Sequence, residues 1–424
     1  MSEIPAKGEN KPGSGQPKME TFASLRFPNF RLWFFGQTLS LMGTWMQSVA
    51  QGWVVYQLTN SALALGAVSF IGTIPTLFLM LPGGAIVDRL PHRRLLMSTQ
   101  SVMMMLAFIM AGLAATGKLQ VWQIAVLAAI LGITQSFDAP ARQTLAVEMV
   151  EDRRYLSNAI ALNSTIFNLA RIVGPAIGGI VLAAVGAAWC FGLNGLSFVA
   201  VLIALMLMRL PATAAEVRAG PLLEQTMIGL RYVWDDVPIR TMMMLVAMGA
   251  LFGSFYAVLL PAFAAEVLNI GEIGLGALNV AVGAGALVGS LIVASLGQSH
   301  RKPQLLTAAS LMFPLSLLGL AATRIYPVCL MSLAMIGVSF VIQNATINTL
   351  IQQTIPDQLR GRVMAVYSLT FFGTAPFAAL LAGGLAQAFG PRIGVALGAI
   401  DTLVFALWVI ILVPSVRRLQ VSTT

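Results

Sequence analysis

A short charged stretch, GAIVDRLPHRR from Gly84 to Arg94, separates two long apolar runs and gathers Asp88, Arg89, Arg93 and Arg94 within a few residues. Ionised side chains are expensive at the centre of a bilayer and collect at its surface, so the stretch reads as a boundary loop. Asp138 and Arg142 stand one helical turn apart at the end of another apolar run, and Arg171 lies inside a third. Ser164, Asn168, Arg171 and Pro175 follow helical spacing, which puts Arg171 on a stripe with two polar residues. A mid-span arginine is costly unless it faces water or a partner. It therefore marks either a substrate or gating path or a structural link to carbonyls.

Two further stripes carry polarity without charge. Gln37, Ser40, Thr44, Gln47, Ser48 and Gln51 recur every three or four residues, and Ser332, Ser339, Gln343, Thr346 and Gln353 repeat the pattern near Asn344 and Asn348. Lipid does not favour such faces, so they line a cavity or bond to neighbouring helices. A cavity of amides, hydroxyls, Trp45, Trp53 and methionines suits amphipathic organic molecules better than a bare ion. No nucleophile–base pair and no metal-ligand cluster is visible, which argues against an enzyme. Cys190 and Cys329 are too few for a disulfide framework or a cysteine metal site. GLAATGKL, Gly112 to Leu119, misses a phosphate-binding loop by lacking both the final hydroxyl and a preceding strand.

Long hydrophobic elements must position these groups. The chain of 424 residues is 58% hydrophobic and only 10% charged, the composition of a polytopic membrane protein. Its net charge of +9 is dealt out among short loops and forms no basic face, so no nucleic-acid partner is expected. Apolar runs of about 20 residues or more, each able to cross the bilayer as a helix, fall at 31–56, 64–87, 95–116, 121–140, 157–184 and 189–209. A second set falls at 239–262, 274–297, 304–323, 327–350, 362–387 and 392–413. Loops of one parity hold nearly all the lysines and arginines, and the others only Lys118, Arg324 and Arg392. Both termini are therefore expected in the cytoplasm. Leu65–Ala67 recurs as Leu275–Ala277, and QTLAVEMVED from Gln143 aligns with NTLIQQTIPD from Asn348, which suggests a duplication. The expected organisation is a disordered tail over 1–28, a bundle over 29–209, a linker over 210–238 with an amphipathic helix, a second bundle over 239–413 and a tail over 414–424.

The layout Gly84-x-x-x-Asp88-Arg89 followed by basic residues resembles the loop signature of the major facilitator superfamily of secondary transporters. GPAIGG, Gly174 to Gly179, resembles a motif of its drug:proton antiporter branch. The stretches FRLWFFGQTLSLMGTWMQSVAQGWVVYQLTNSALALG, DAPARQTLAVEMV and LRGRVMAVYSLTFFGTAPFAALLAGGLA are similar to the bacterial transmembrane secretion effectors, which include macrolide and siderophore exporters. The resemblance implies an all-α membrane fold of twelve transmembrane helices in two six-helix pseudo-repeats. It implies export of small amphipathic compounds across the bacterial inner membrane by proton antiport, with no cofactor beyond the proton gradient, by a monomer.

The resemblance also implies roles for residues. Gly84, Asp88, Arg89, Arg93, Asp138 and Arg142 would form a conformational latch, with Asp88 facing the helix start near Arg360 to Arg362 and Arg93 paired to Asp138. Arg171, Gly174, Pro175, Gly178 and Gly179 would form the antiporter-like motif, sealing or hinging the outer half. Gln37, Ser40, Thr44, Gln47, Gln51, Ser339, Gln343 and Thr346 would line the substrate cavity. Asp138 and Asp401 are the candidate proton carriers, with Glu266 and Glu272 able to exchange protons near the outer face. His92 and His300 read as loop charges. An uncoupled facilitator or lipid flippase of the same fold, or a receptor that has lost transport, are the alternatives.

Overall fold

The computed structural model describes residues 22–87, 89–150, 152–208, 222–296 and 302–412. Asp88, His300, most of the expected tail over 1–28 and all of that over 414–424 lie outside the described residues, as does the linker ahead of Leu222. Among the described residues the secondary structure is helical throughout. Helices α1 Pro28–Thr59, α2 Ala62–Val87, α3 His92–Ala115, α4 Val121–Glu148, α5 Leu156–Val185 and α6 Ala187–Leu207 come first. They are followed by α7 Leu222–Asp235, α8 Val237–Leu251, α9 Phe255–Ala262, α10 Glu272–Leu296, α11 Lys302–Ala322 and α12 Tyr326–Thr354. The last three are α13 Asp357–Gly373, α14 Ala375–Phe389 and α15 Pro391–Leu412.

Local chemistry sets the helix ends. Pro28 occupies the first turn of α1, where a missing N–H costs nothing, and Asn60 closes the helix in the left-handed region at φ 47°. Gln120 and Gln123 form a reciprocal capping box on α4, and the Asp236 side chain accepts from the Ile239 N–H to start α8. Gly186 and Gly390, both at φ 86°, each make a one-residue turn, between α5 and α6 and between α14 and α15. That backbone angle strains any residue with a Cβ.

Eleven stretches among the described residues are long and apolar enough to cross a membrane. The 32-residue α1 is not one of them, because its polar stripe dilutes its hydropathy. Two of the eleven, Val237–Val267 and Asp357–Phe389, are interrupted, so the single spans expected at 239–262 and 362–387 are each two helices. Pro376 removes the amide that would bond back to Phe372, and α13 gives way to α14 at Thr374. Between α8 and α9, Gly253 packs so tightly on Phe313 that a Cβ would fall 2.3 Å from its ring. The stretch then continues through α9 into a π-turn, Phe263–Val267.

Packing follows a regular scheme. α1 packs against α5 and α6, α2 against α4, and α3 against α4 and α6. α10 packs against α12, α11 against α12 and α15, and α14 against α9 and α15. The broadest contacts between these groups are α5 with α10 and α2 with α14. α7 lies against α13, where Gly229 meets the Arg362 backbone, burying Val233 and leaving Met227 and Trp234 exposed.

A candidate substrate cavity and its closure

A cavity of about 380 Å³ lies between α1, α2, α4, α9 and α10. Thr44, Trp45, Gln47, Ser48 and Gln51 contribute its α1 wall, Ser69 its α2 wall, Gln135 its α4 wall and Asn279 its α10 wall. Val55, Leu65, Val68 and Pro261 supply apolar surface. No charged side chain is part of the described wall. The chemistry is that of an uncharged pocket with hydrogen-bonding amides and one indole, suited to an organic ligand.

The α1 stripe divides between this cavity and its helical neighbours. Thr44, Gln47 and Gln51 line the cavity, whereas Gln37 and Ser40 are buried away from it. Gln47 serves both sides, since its Oε1 accepts from Asn194 Nδ2 of α6 at 2.7 Å while its side chain borders the cavity. Ser339, Gln343 and Thr346 of α12 are buried and form no part of the cavity wall. Ser339 donates to its own helix at Met335 O, and Gln343 Nε2 faces Gly249 of α8. Helical spacing fixes which residues share a face; the identity of the facing element depends on how the helices are rotated.

The GPAIGG segment packs on two partners at once. Gly174 and Gly178 lie against α1, where added Cβ atoms would fall 2.6 Å from Trp45 Cβ and 3.1 Å from Met46 Cα. Gly179 faces α10 instead, against Glu272 O and Gly276, and the Pro175 carbonyl touches the same Gly276. One turn earlier, the Arg171 guanidinium lies 5.9 Å from the centre of the Trp45 ring, and Phe167 meets that ring edge-on at 6.0 Å. Gly283 of α10 abuts the Arg171 carbonyl. Arg171 itself has no carboxylate partner and no carbonyl bond among the described residues.

One end of the bundle, at the Asn60 turn, is tied across the cavity. Trp53 Nε1 donates to Glu272 Oε1 at 3.0 Å, and the Tyr56 hydroxyl donates to Glu266 Oε1 at 2.5 Å. Ser61 donates to Gln387 Oε1 at 2.8 Å. Gly66 and Gly383 cross within backbone contact in the same region. These ties were not legible in the sequence. The available signal was the pair Trp53 and Tyr56, two polar-tipped aromatics one turn apart on α1 and close to the stripe.

Of the expected latch residues, Asp138 and Arg142 are brought together and Arg93 is placed elsewhere. Arg93 does not pair with Asp138; its Nε and Nη2 donate to Leu205 O and Met206 O at 2.7 and 2.9 Å, at the end of α6. The last carbonyls of a helix lack intrahelical partners and carry the negative end of its dipole, so a cation docks there readily. Arg392 repeats the arrangement on Ala321 O and Ala322 O of α11. Asp138 is buried and accepts from Thr99 Oγ1 at 2.8 Å and Gln100 Nε2 at 2.9 Å, with Arg142 Nε at 3.6 Å. Arg89 is exposed, and a Cβ on Gly84 would meet open space. Arg360 bonds Asp357 at 2.6 Å. His92, expected as a simple loop charge, sits 2.9 Å from Glu148, and Asp401 is exposed on α15. No group of three or more metal-ligating side chains occurs among the described residues.

A family described as transmembrane secretion effectors matches residues 19–422. The multidrug efflux pump Tap of Mycolicibacterium fortuitum is 31% identical over 363 residues, 82% of this chain and 87% of Tap. The staphyloferrin A transporter of Staphylococcus aureus is 25% identical, over 85% of this chain and 90% of that protein. A crystal structure of a POT family transporter in complex with 5-aminolevulinic acid overlays with a TM-score of 0.74, covering 92% of this chain and 96% of that one. At 11% identity it carries the fold alone. Its relatives are transporters and not enzymes. The chain belongs to the transmembrane secretion effectors of the major facilitator superfamily.

Proposed function

We propose that the protein exports small amphipathic organic compounds, drug-like, macrolide-like or siderophore-like, across the bacterial inner membrane by proton antiport and alternating access. The observation that carries this reading is an uncharged cavity between helices of both sequence halves, tied shut at one end by bonds that cross it. Similarity to a multidrug efflux pump over most of both chains supports it. The chain works as twelve spans in two six-helix halves, 29–209 and 239–413, with α8–α9 and α13–α14 each forming one span and α7 lying in the 210–238 linker. Corresponding contacts of α2 with α4 and of α10 with α12, and the one-glycine turns at Gly186 and Gly390, support the two-half reading.

The distribution of basic residues supports cytoplasmic termini, which makes the Asn60 end the outer face and the present state one closed to the outside. The protein acts as a monomer and needs no cofactor besides the proton gradient. Asp88 holds the opposite side shut when that side closes, and Asp88→Asn is expected to abolish flux without loss of expression. The described cavity wall holds no carboxylate, which favours as a second reading an uncoupled facilitator of the same fold. Efflux of lipophilic dyes, macrolides and siderophores from cells, with and without an uncoupler, separates the two. Antiport requires efflux that the uncoupler stops; efflux that continues unchanged supports the facilitator, and efflux of no compound contradicts both.

A further inference from the structure

We infer that Arg171 recognises an anionic group on the transported compound, so that the cavity selects amphipathic organic anions over neutral or cationic ones of the same shape; this rests on the export reading above. The protein leaves one charge within its helices without a counter-charge among the described residues. Arg171 lies within α5, between α1 and α10, and among the described residues no carboxylate comes within ion-pair distance of it and no carbonyl accepts from it. An arginine at that depth is costly without an anion or water, and it is seldom retained without a task.

The surroundings place that charge beside one wall residue of the cavity. The Arg171 guanidinium packs 5.9 Å from the centre of the Trp45 ring, and Trp45 is part of the cavity wall. Asn279, another wall residue, lies one turn from Gly283, whose position abuts the Arg171 carbonyl. The acids nearest in chain arrangement are engaged elsewhere. Glu272 accepts from Trp53 and Glu266 from Tyr56. Eleven residues separate Glu272 from Gly283 on α10, roughly 16 Å along the helix axis. The cavity wall itself is uncharged, and a guanidinium without an acidic partner, packed on the wall residue Trp45 in a low-dielectric setting, favours an anion over a cation at that wall. A carboxylate, sulfonate or phosphate matches the guanidinium fork, while the rest of the ligand lies on Trp45, Leu65, Val68 and Pro261.

The test uses the full-length protein in nanodiscs and three probes of equal length: dansyl-aminoundecanoate, its methyl ester and its trimethylammonium analogue. Binding is read from energy transfer between tryptophan and dansyl. The carboxylate is expected to bind at least about tenfold tighter than the other two. Arg171→Gln is expected to weaken it by about 10- to 100-fold, the range for a charge-assisted bond, while leaving the ester within about twofold; Arg171→Lys should retain most of the preference. Equal binding of the three probes by the unsubstituted protein, or an equal loss of all three in Arg171→Gln, overturns the inference. Should Arg171→Gln not fold, the ranking of the probes by the unsubstituted protein decides alone. Flux of the same probes in inverted vesicles separates the two readings. Charge-selective binding without flux refutes export and leaves the anion site standing, whereas flux without charge selection refutes the anion site and leaves export.

Discussion

Gly179 of α5 and Gly276 of α10 cross backbone to backbone: a Cβ added to either would sit 3.1 or 3.0 Å from the Cα of the other. Gly66 of α2 and Gly383 of α14 make the same crossing, at 3.0 and 2.9 Å. With no hydrophobic effect to drive association, helices in a bilayer join through close packing of small residues. The two crossings flank the ties from Trp53 and Tyr56, so apolar fit and polar bonds act at the same end of the bundle.

Replacing Gly66 or Gly276 by valine is expected to force these helices apart, because the new side chains would meet the Ala379 and Pro175 carbonyls at 2.4 and 2.8 Å. Overpacking of this kind costs about 1–3 kcal/mol. The buried free thiols of Cys190 and Cys329 report unfolding in detergent through their reaction with a fluorogenic maleimide. Both valine variants should unfold at lower temperature, and Gly84→Ala, whose Cβ meets open space, should not.

Tyr56→Phe and Glu272→Gln each weaken one tie across the cavity. A hydrogen bond to a charged group contributes about 1.5–3 kcal/mol, enough to shift two conformers of similar energy by tenfold or more. A cysteine at Ser48, in the cavity wall, should then react faster with an impermeant maleimide added from the Asn60 side, and faster still in the double variant. Unchanged labelling would mean that the glycine crossings alone keep that end closed.

The sequence makes the helices, the polar faces and the family legible, because hydropathy, spacing and short motifs are local properties. What it leaves open is the partner of each face. Gln47 and Ser339 belong to equally regular stripes, yet Gln47 reaches the cavity and Ser339 bonds its own helix. The same limit explains Arg93, whose donors reach the α6 carbonyls and not Asp138. Carbonyls at a helix end have no sequence signature, so a pairing of two charges is the reading that comes first. Glu266 and Glu272 were visible as acids near the outer face, but their donors on α1 lie more than two hundred residues away in the chain.

Arg93 and Asp138 are expected to act independently. Arg93→Gln removes two bonds to the end of α6 and should cost about 1–2 kcal/mol. Asp138→Asn should cost about 1–3 kcal/mol, since it removes the charge that Thr99, Gln100 and Arg142 surround. In a double-mutant cycle followed by thermal unfolding, the two losses should add to within about 0.5 kcal/mol. A larger coupling would return the two residues to a shared latch.

The most direct measurement is accumulation of a lipophilic drug in liposomes holding the purified protein, after a pH jump that makes the lumen acidic. With the side that exports facing the lumen, accumulation is expected only while the pH difference lasts, with collapse on addition of an uncoupler. Movement that follows the drug gradient alone, indifferent to the pH difference, would contradict proton-driven export.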